Sequence, residues 1–228
     1  MKPALVFLHG SGFTGNAFRA QVDAFSGSHA PNLPGHCVPG SCASVAEFAA
    51  FVEAYVREWR LPRVVLAGSS LGGAIALECA LRDIPGLAGI VLLGSGARLR
   101  VAPAFLDGLR DDFEATARTI ASYLYAEPTP ERVEDAVASM RLVGQEQTLR
   151  DFIACNAFDA VDRLAGVRLP LLTITGAADR MTPPKFAQLL ADRVEGGQAR
   201  IVPEAGHLVM IERPEPTNEL IRDFVHAL

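Results

Sequence analysis

Two adjacent serines lie in the run Gly68-Ser69-Ser70-Leu71-Gly72, between a strand-sized apolar stretch (residues 64–67) and a helix-like stretch from Ala74. A serine on a tight strand-to-helix turn is exposed enough to act as a nucleophile. Such a turn closes only when the residues two before and two after it are small. Ser70 has Gly68 and Gly72 there, whereas Ser69 would have Ala67 and the bulky Leu71, so Ser70 is the candidate nucleophile. Its hydroxyl needs a base, and the base an orienting acid. Residues 171–175 run into Gly176-Ala177-Ala178-Asp179, and residues 200–203 into Glu204-Ala205-Gly206-His207. His207 would take the Ser70 proton while Asp179 fixes its tautomer and stabilises the imidazolium. A loop carboxylate is ordinarily just solvated and a lone histidine ordinarily structural. The chain order Ser…Asp…His, each residue following a strand, outweighs both of those readings. His9-Gly10-Ser11-Gly12 ends a further apolar stretch and can aim backbone N–H groups into the same crevice, although an ordinary glycine-rich turn reads the same way.

These residues require a scaffold that brings several strand ends to one edge. Apolar runs at residues 4–8, 64–67, 89–93, 171–175 and 200–203, with a weaker one at 28–32, alternate with amphipathic stretches, which predicts βαβ units and a parallel sheet covered on both faces. Ser44-Val45-Ala46-Glu47 reads as a capping box opening a helix that carries Phe48, Val52, Tyr55 and Trp59 inward. Thr182-Pro183 reads as N-cap plus first-turn proline of a helix with Phe186, Leu189 and Leu190, and the final helix packs Leu220, Ile221, Phe224 and Val225. Residues 97–166 are far longer than the roughly 30 residues of an ordinary crossover. They carry helical stripes at Phe113, Ala117, Ile120 and Leu124, at Val133, Val137 and Met140, and at Leu149, Phe152 and Ile153. A helical insertion over the ligand-binding edge of the sheet is expected.

Composition narrows the field. The chain has 228 residues, 50% hydrophobic and 21% charged, with net charge −5, which excludes disorder and predicts one domain with an insertion. The balance of 21 basic against 26 acidic residues argues against capture of nucleic acid. No apolar run approaches the ~20 residues of a membrane span, and the run after Lys2 is too short for a secretion signal, so a cytoplasmic protein is expected. The four cysteines lack metal-ligand spacing, and no metal or cofactor is expected. Cys79 and Cys155 read as core residues, while Cys37 and Cys42 share a loop in which a disulfide would be unusual for a reducing compartment. His9 and His36 read as structural and His29 and His226 as surface residues. Arg98 and Arg180 flank the crevice, with solvation or ion pairing the ordinary role.

HGSG at 9–12, GSSLGG at 68–73, GAADRMTP at 176–183 and AGHLVMIERP at 205–214 together resemble the α/β-hydrolases with a helical cap, over almost the whole chain. The resemblance implies a three-layer α/β fold, with residues 1–96 and 167–228 as core and 97–166 as cap. It implies Ser70 as nucleophile, Asp179 as acid and His207 as base, with the backbone N–H groups of Leu71 and of Ser11, or less readily Gly12, as oxyanion hole. Some members carry the acid one strand earlier, but Gly94-Ser95-Gly96-Ala97-Arg98 has no carboxylate. The family's D-x-P-G-x-G loop appears here as Asn32-Leu33-Pro34-Gly35-His36-Cys37, lacking the Asp and the final Gly. The chain starts at the strand bearing His9, so a sheet of about six strands is expected. The implied activity is hydrolysis of a small-molecule carboxylic ester through an acyl-enzyme, as a monomer or homodimer, with Gly12, Phe13, Phe105, Met181 and Leu208 as candidate pocket lining. Thioester hydrolysis, C–C bond hydrolysis and a hydrolase-fold receptor with little turnover remain alternatives. The C–C hydrolases tend to carry Trp after the catalytic His, where this chain has Leu208.

Overall fold

A computed structural model describes residues 2–228. Its sheet has five strands in sequence order: β1 (Ala4–Leu8), β2 (Val64–Ser69), β3 (Leu87–Leu93), β4 (Leu171–Gly176) and β5 (Gln198–Val202). Every pairing is parallel, with Val6 opposite Leu66 and Leu66 opposite Ile90. Because side chains alternate across a strand, Val6, Leu8, Leu66 and Ile90 enter one core while Leu5, Phe7, Val65 and Val91 enter another. Helices α2 (Val45–Glu58), α3 (Leu71–Leu81) and α8 (Pro184–Arg193) face the first core; α1 (Arg19–Ala24) packs with α9 (Val209–Glu212) and α10 (Pro214–His226), which face the second.

The weak run at 28–32 contracts to one bridge, His29 opposite Val6, with His29 N–H donating to Leu5 O (2.8 Å) and Phe7 N–H to His29 O (2.8 Å). Pro31 has no N–H to extend the ladder, and the chain then turns through Pro34 and Gly35. The sheet therefore shows five strands plus this bridge where about six strands were expected.

Ser44 caps α2 as its spacing predicts: its Oγ accepts Glu47 N–H (3.2 Å), while the Glu47 carboxylate reaches back to Ala43 N–H (3.0 Å). Trp59, expected inward, is 56% exposed, because α2 ends at Glu58 and the indole stacks on Tyr55 instead. Thr182-Pro183 also departs from expectation. The helix begins at Pro184 with Pro183 as its cap, and the Thr182 hydroxyl is engaged by Asp179.

Between β3 and β4 lie four α-helices, α4 (Pro103–Asp111), α5 (Phe113–Leu124), α6 (Pro130–Val143) and α7 (Gln145–Ala157), followed by a 3-10 turn at Val161–Gly166. The sequence stripes mark the last three; α4 has one fully buried side chain, Leu109, and Gly108 interrupts its pattern. Asp112 caps α5 through Ala115 N–H (3.2 Å), Thr129 caps α6 ahead of Pro130, and Gly144, at φ +92°, separates α6 from α7. The two stems of the insertion are tied together. Arg98 and Asp159 form a β-bridge and an ion pair (Nε–Oδ2 2.6 Å), and Asn156 Oδ1 accepts Val101 N–H (3.1 Å). Cys37, Cys42, Cys79 and Cys155 all carry free thiols. Among the described residues no helix is long and apolar enough to cross a membrane, and no His/Cys/Asp/Glu cluster suits a metal.

Candidate active site

Ser70 follows the last residue of β2 and stands at φ 52°, ψ −114°, a conformation that costs a non-glycine residue about 1–3 kcal/mol. Its neighbours hold it there. A Cβ on Gly68 would lie 2.0 Å from Gly72 O, and one on Gly72 would lie 2.0 Å from Leu8 O, so both positions admit only glycine. Ser70 N–H donates to Leu93 O (3.0 Å), and the Ser95 hydroxyl donates to Ser70 O (2.8 Å). Ser70 is half-buried at the cavity, whereas the Ser69 hydroxyl is fully buried with no hydrogen-bond partner among the described residues. Leu71, next in the chain, is the first residue of α3, where backbone N–H groups are unpaired and the helix dipole is positive.

Asp179 and His207 meet at the C-terminal edge of the sheet. His207 Nδ1 lies 3.0 Å from Asp179 Oδ2, and both side chains are almost wholly buried. Asp179 Oδ1 accepts the N–H groups of Met181 (2.9 Å) and Thr182 (2.8 Å); Oδ2 also accepts the Thr182 hydroxyl (2.8 Å). Burial alone would raise the Asp179 pKa. The His207 charge and the hydrogen bonds from His207, Thr182 N–H and the Thr182 hydroxyl outweigh burial and hold it below the usual aspartate value. Gly94, at φ +50°, makes room for His207: a Cβ there would lie 2.6 Å from His207 O. With Nδ1 engaged by Asp179, Nε2 is the nitrogen left for another partner. Ser70 and His207 line one cavity without a hydrogen bond between them among the described residues, a separation common before substrate closes a site.

The turn after β1 is braced from below by His9. Its Nε2 accepts Leu33 N–H (3.0 Å), so Nδ1 carries the hydrogen and donates to Gly10 O (3.0 Å). Burial, reinforced by nearby His36, lowers the His9 pKa to about 3 and keeps the ring neutral. Gly12 N–H donates to Asp151 Oδ2 (3.0 Å), whereas the N–H groups of Ser11 and Leu71 have no partner among the described residues.

The cavity encloses about 70 Å³, opens to solvent and is mostly apolar. Ser11, Phe13, Met181 and Leu208 line it from the strand-end loops, and Ile120, Leu124, Met140, Phe152 and Cys155 from the insertion. Two expected lining residues lie elsewhere. Phe105, on the helix α4 that packs against α5 and α7, lies edge-on against Tyr123 (6.0 Å between ring centroids), and Gly12 faces Met140 and Asp151. Arg98 is paired with Asp159, and Arg180 lies over the Tyr123 ring (4.7 Å) and donates to Ser122 O. Sequence reasoning gave Thr182 only a helix-cap role and passed over Asp151 and the mouth residue Arg100. The hydroxyl of Thr182, three residues beyond a loop aspartate, was the available signal for the first; a lone acid in a helix offered none for Asp151.

The model of the Alpha/beta hydrolase family matches residues 5–220. A pimeloyl-[acyl-carrier protein] methyl ester esterase of Edwardsiella ictaluri is 29% identical over 239 residues, covering 94% of this chain and 90% of that protein. A 2-succinyl-6-hydroxy-2,4-cyclohexadiene-1-carboxylate synthase of Serratia proteamaculans is 28% identical, covering 98% and 93%. Among solved structures, a thermophilic esterase superposes with a TM-score of 0.91 at 28% identity, covering 99% of this chain and 90% of that one. The chain belongs to the α/β hydrolase family and stands among its esterase-like members.

Proposed function

We propose that the protein hydrolyses small to medium carboxylic esters through an acyl-enzyme formed on Ser70. The observation that carries this reading is the buried His207–Asp179 pair, with His207 lining the same cavity as Ser70 on its strained turn. His207 Nε2 takes the Ser70 proton as Oγ attacks the ester carbonyl carbon. Asp179 stays ionised and stabilises the imidazolium. The N–H groups of Ser11 and Leu71 receive the negative charge that develops on the carbonyl oxygen. The C–O bond to the alcohol then breaks, and His207 returns its proton to the leaving oxygen. Water attacks the acyl-enzyme by the same route in reverse, with His207 as base, and releases the acid and free Ser70. The apolar cavity favours an apolar acyl group, each buried CH₂ adding up to about 0.8 kcal/mol until the space is full. The methyl ester in the name of one relative and the esterase likeness of the fold agree with an ester substrate. On this reading the insertion is a cap that shapes the acyl site.

Turnover of p-nitrophenyl esters of increasing acyl length, with the fluorophosphonate-labelled peptide mapped, tests the proposal. Sustained turnover that rises and then falls with chain length, with the label on Ser70, is the expected result. Binding without turnover, or a label on another residue, would overturn it.

A further inference from the structure

The oxyanion turn is gripped by the insertion on both sides of Gly12. Its N–H donates to Asp151 Oδ2 of α7 (3.0 Å), and its carbonyl accepts the Ser139 hydroxyl of α6 (3.0 Å). The fit is close: a Cβ on Gly12 would lie 2.7 Å from Met140 Cγ, and one on Gly35 would lie 2.1 Å from Gln147 Oε1. Asp151 holds more than Gly12. Its Oδ1 accepts the Gln147 amide (2.9 Å), and its Oδ2 lies 2.8 Å from His36 Nε2. His36 Nδ1 faces Pro34 O (3.2 Å), which can only accept, so Nδ1 carries a hydrogen and Nε2 shares a single proton with Asp151. Both side chains are wholly buried, and neither lines the cavity.

A buried ionisable pair is weak as a stabilising device, since desolvation offsets most of its attraction. Hydrogen bonds with strict geometry, by contrast, specify one arrangement. Here the arrangement specified is that of the peptide adjoining Ser11. With Gly12 N–H drawn to Asp151, the Ser11 N–H beside it has a fixed direction and no competing partner among the described residues. The Asp151 carboxylate also occupies Gly12 N–H, which would otherwise be a second donor in the turn.

We propose that Asp151, with His36 as its proton-sharing partner and Ser139 opposing it, is a positioning residue for the oxyanion hole, so that the insertion helices hold the Ser11 N–H in register. The proposal rests on the reading of Ser70 as nucleophile and Ser11 N–H as oxyanion donor. Asp151→Asn keeps the side-chain shape but cannot accept from Gly12, His36 and Gln147 together. The expected result is a fall in kcat of about 10–100-fold per fluorophosphonate-titrated site, with KM changed less than about threefold. The Ki of a trifluoromethyl ketone, whose adduct places an oxyanion in the hole, should rise in proportion. Ser139→Ala should move kcat and Ki in the same direction by a smaller factor, and it serves as the deciding variant if Asp151→Asn does not fold. A melting temperature that drops while kcat per titrated site and the ketone Ki stay at parental values overturns the positioning role. Activity surviving in Ser70→Ala, or a label elsewhere, overturns the underlying mechanism instead.

Discussion

The cavity has two walls held by different physics. On the strand-end wall, Ser70 is placed by its own neighbours: Gly68 and Gly72, where an added Cβ would lie 2.0 Å from a backbone oxygen, and hydrogen bonds from Ser70 N–H to Leu93 O and from the Ser95 hydroxyl to Ser70 O leave the turn one conformation. On the insertion wall, Ile120, Met140 and Phe152 are placed by packing among helices and by side-chain bonds such as Asn156 to Val101. Backbone sterics tolerate no adjustment, whereas packed apolar side chains can exchange volume at modest cost. Under the proposed mechanism the nucleophile and its base stand on the first wall, and the choice of acyl group falls to the second.

Ser70→Ala gives the largest effect expected, a loss of about 10⁴–10⁶ in kcat with the melting temperature retained. Ser69→Ala, one residue away on the same strand end, should leave kcat within about threefold. Ester-hydrolysis kinetics on both variants check the pair, and equal losses would break the assignment of the turn.

The second comparison is steric. Gly72→Ala, with its Cβ 2.0 Å from Leu8 O, should prevent folding or cost more than about 4 kcal/mol. Gly144→Ala, on the insertion at φ +92° with nothing within 4 Å of its Cβ, should cost only the backbone strain of about 1–3 kcal/mol. Urea denaturation of the two proteins reads the contrast, and similar costs would remove the distinction between the walls.

Acidity probes the join between them. The His9 pKa is lowered from 6.5 to about 3 in the fold, so below pH 6.5 the unfolded chain binds a proton that the folded one refuses. Its contribution is complete above pH 6.5 and is lost as pH falls towards 3, by about 5 kcal/mol at most. Asp179 acts in the same direction lower down, its contribution being complete above the ordinary aspartate value and lost as pH falls through its depressed one. In denaturant titrations from pH 7 to 4, His9→Asn should show a flatter acid limb than the parent. An unchanged slope would show that His9 is not held neutral.

Phe152→Ala should shift the acyl-length optimum towards longer chains and lower kcat on the preferred parental ester by no more than about tenfold, read from the p-nitrophenyl ester panel. An unaltered chain-length profile would show that the insertion wall does not select the substrate.

The same division explains what could be read from the chain. Gly68, Gly72 and the order of Ser70, Asp179 and His207 are local signals, since each states a backbone requirement within a few residues. So are the capping box at Ser44 and the stripe from Phe113 to Leu124. Thr182 misleads because its hydroxyl has two local uses, a helix cap or an aspartate partner, and the following Pro183-Pro184 pair shifts the helix start. Phe105 misleads because helical periodicity identifies an apolar face without saying which neighbour covers it; here the neighbour is Tyr123. Trp59 falls just past the helix end, where its indole packs on Tyr55 and His29 at the surface instead of entering the core. Asp151 is legible only in three dimensions, as its partners Gly12 and His36 are 139 and 115 residues away.

The single bridge at His29 has a consequence out of proportion to its two hydrogen bonds. From β1 the chain steps outward to His29, then returns across β1 to β2. Right-handed crossovers in opposite directions run on opposite faces, which is why α1 and α2 lie on different sides of the sheet. Where the direction of winding reverses, the loops leaving adjacent strands diverge and open a crevice between their ends, the topological switch point at which open α/β sheets take their ligands. The diverging loops here are those after β1 and β2, carrying Ser11 and Ser70. A strand reduced to one residue thus still decides where the molecule opens.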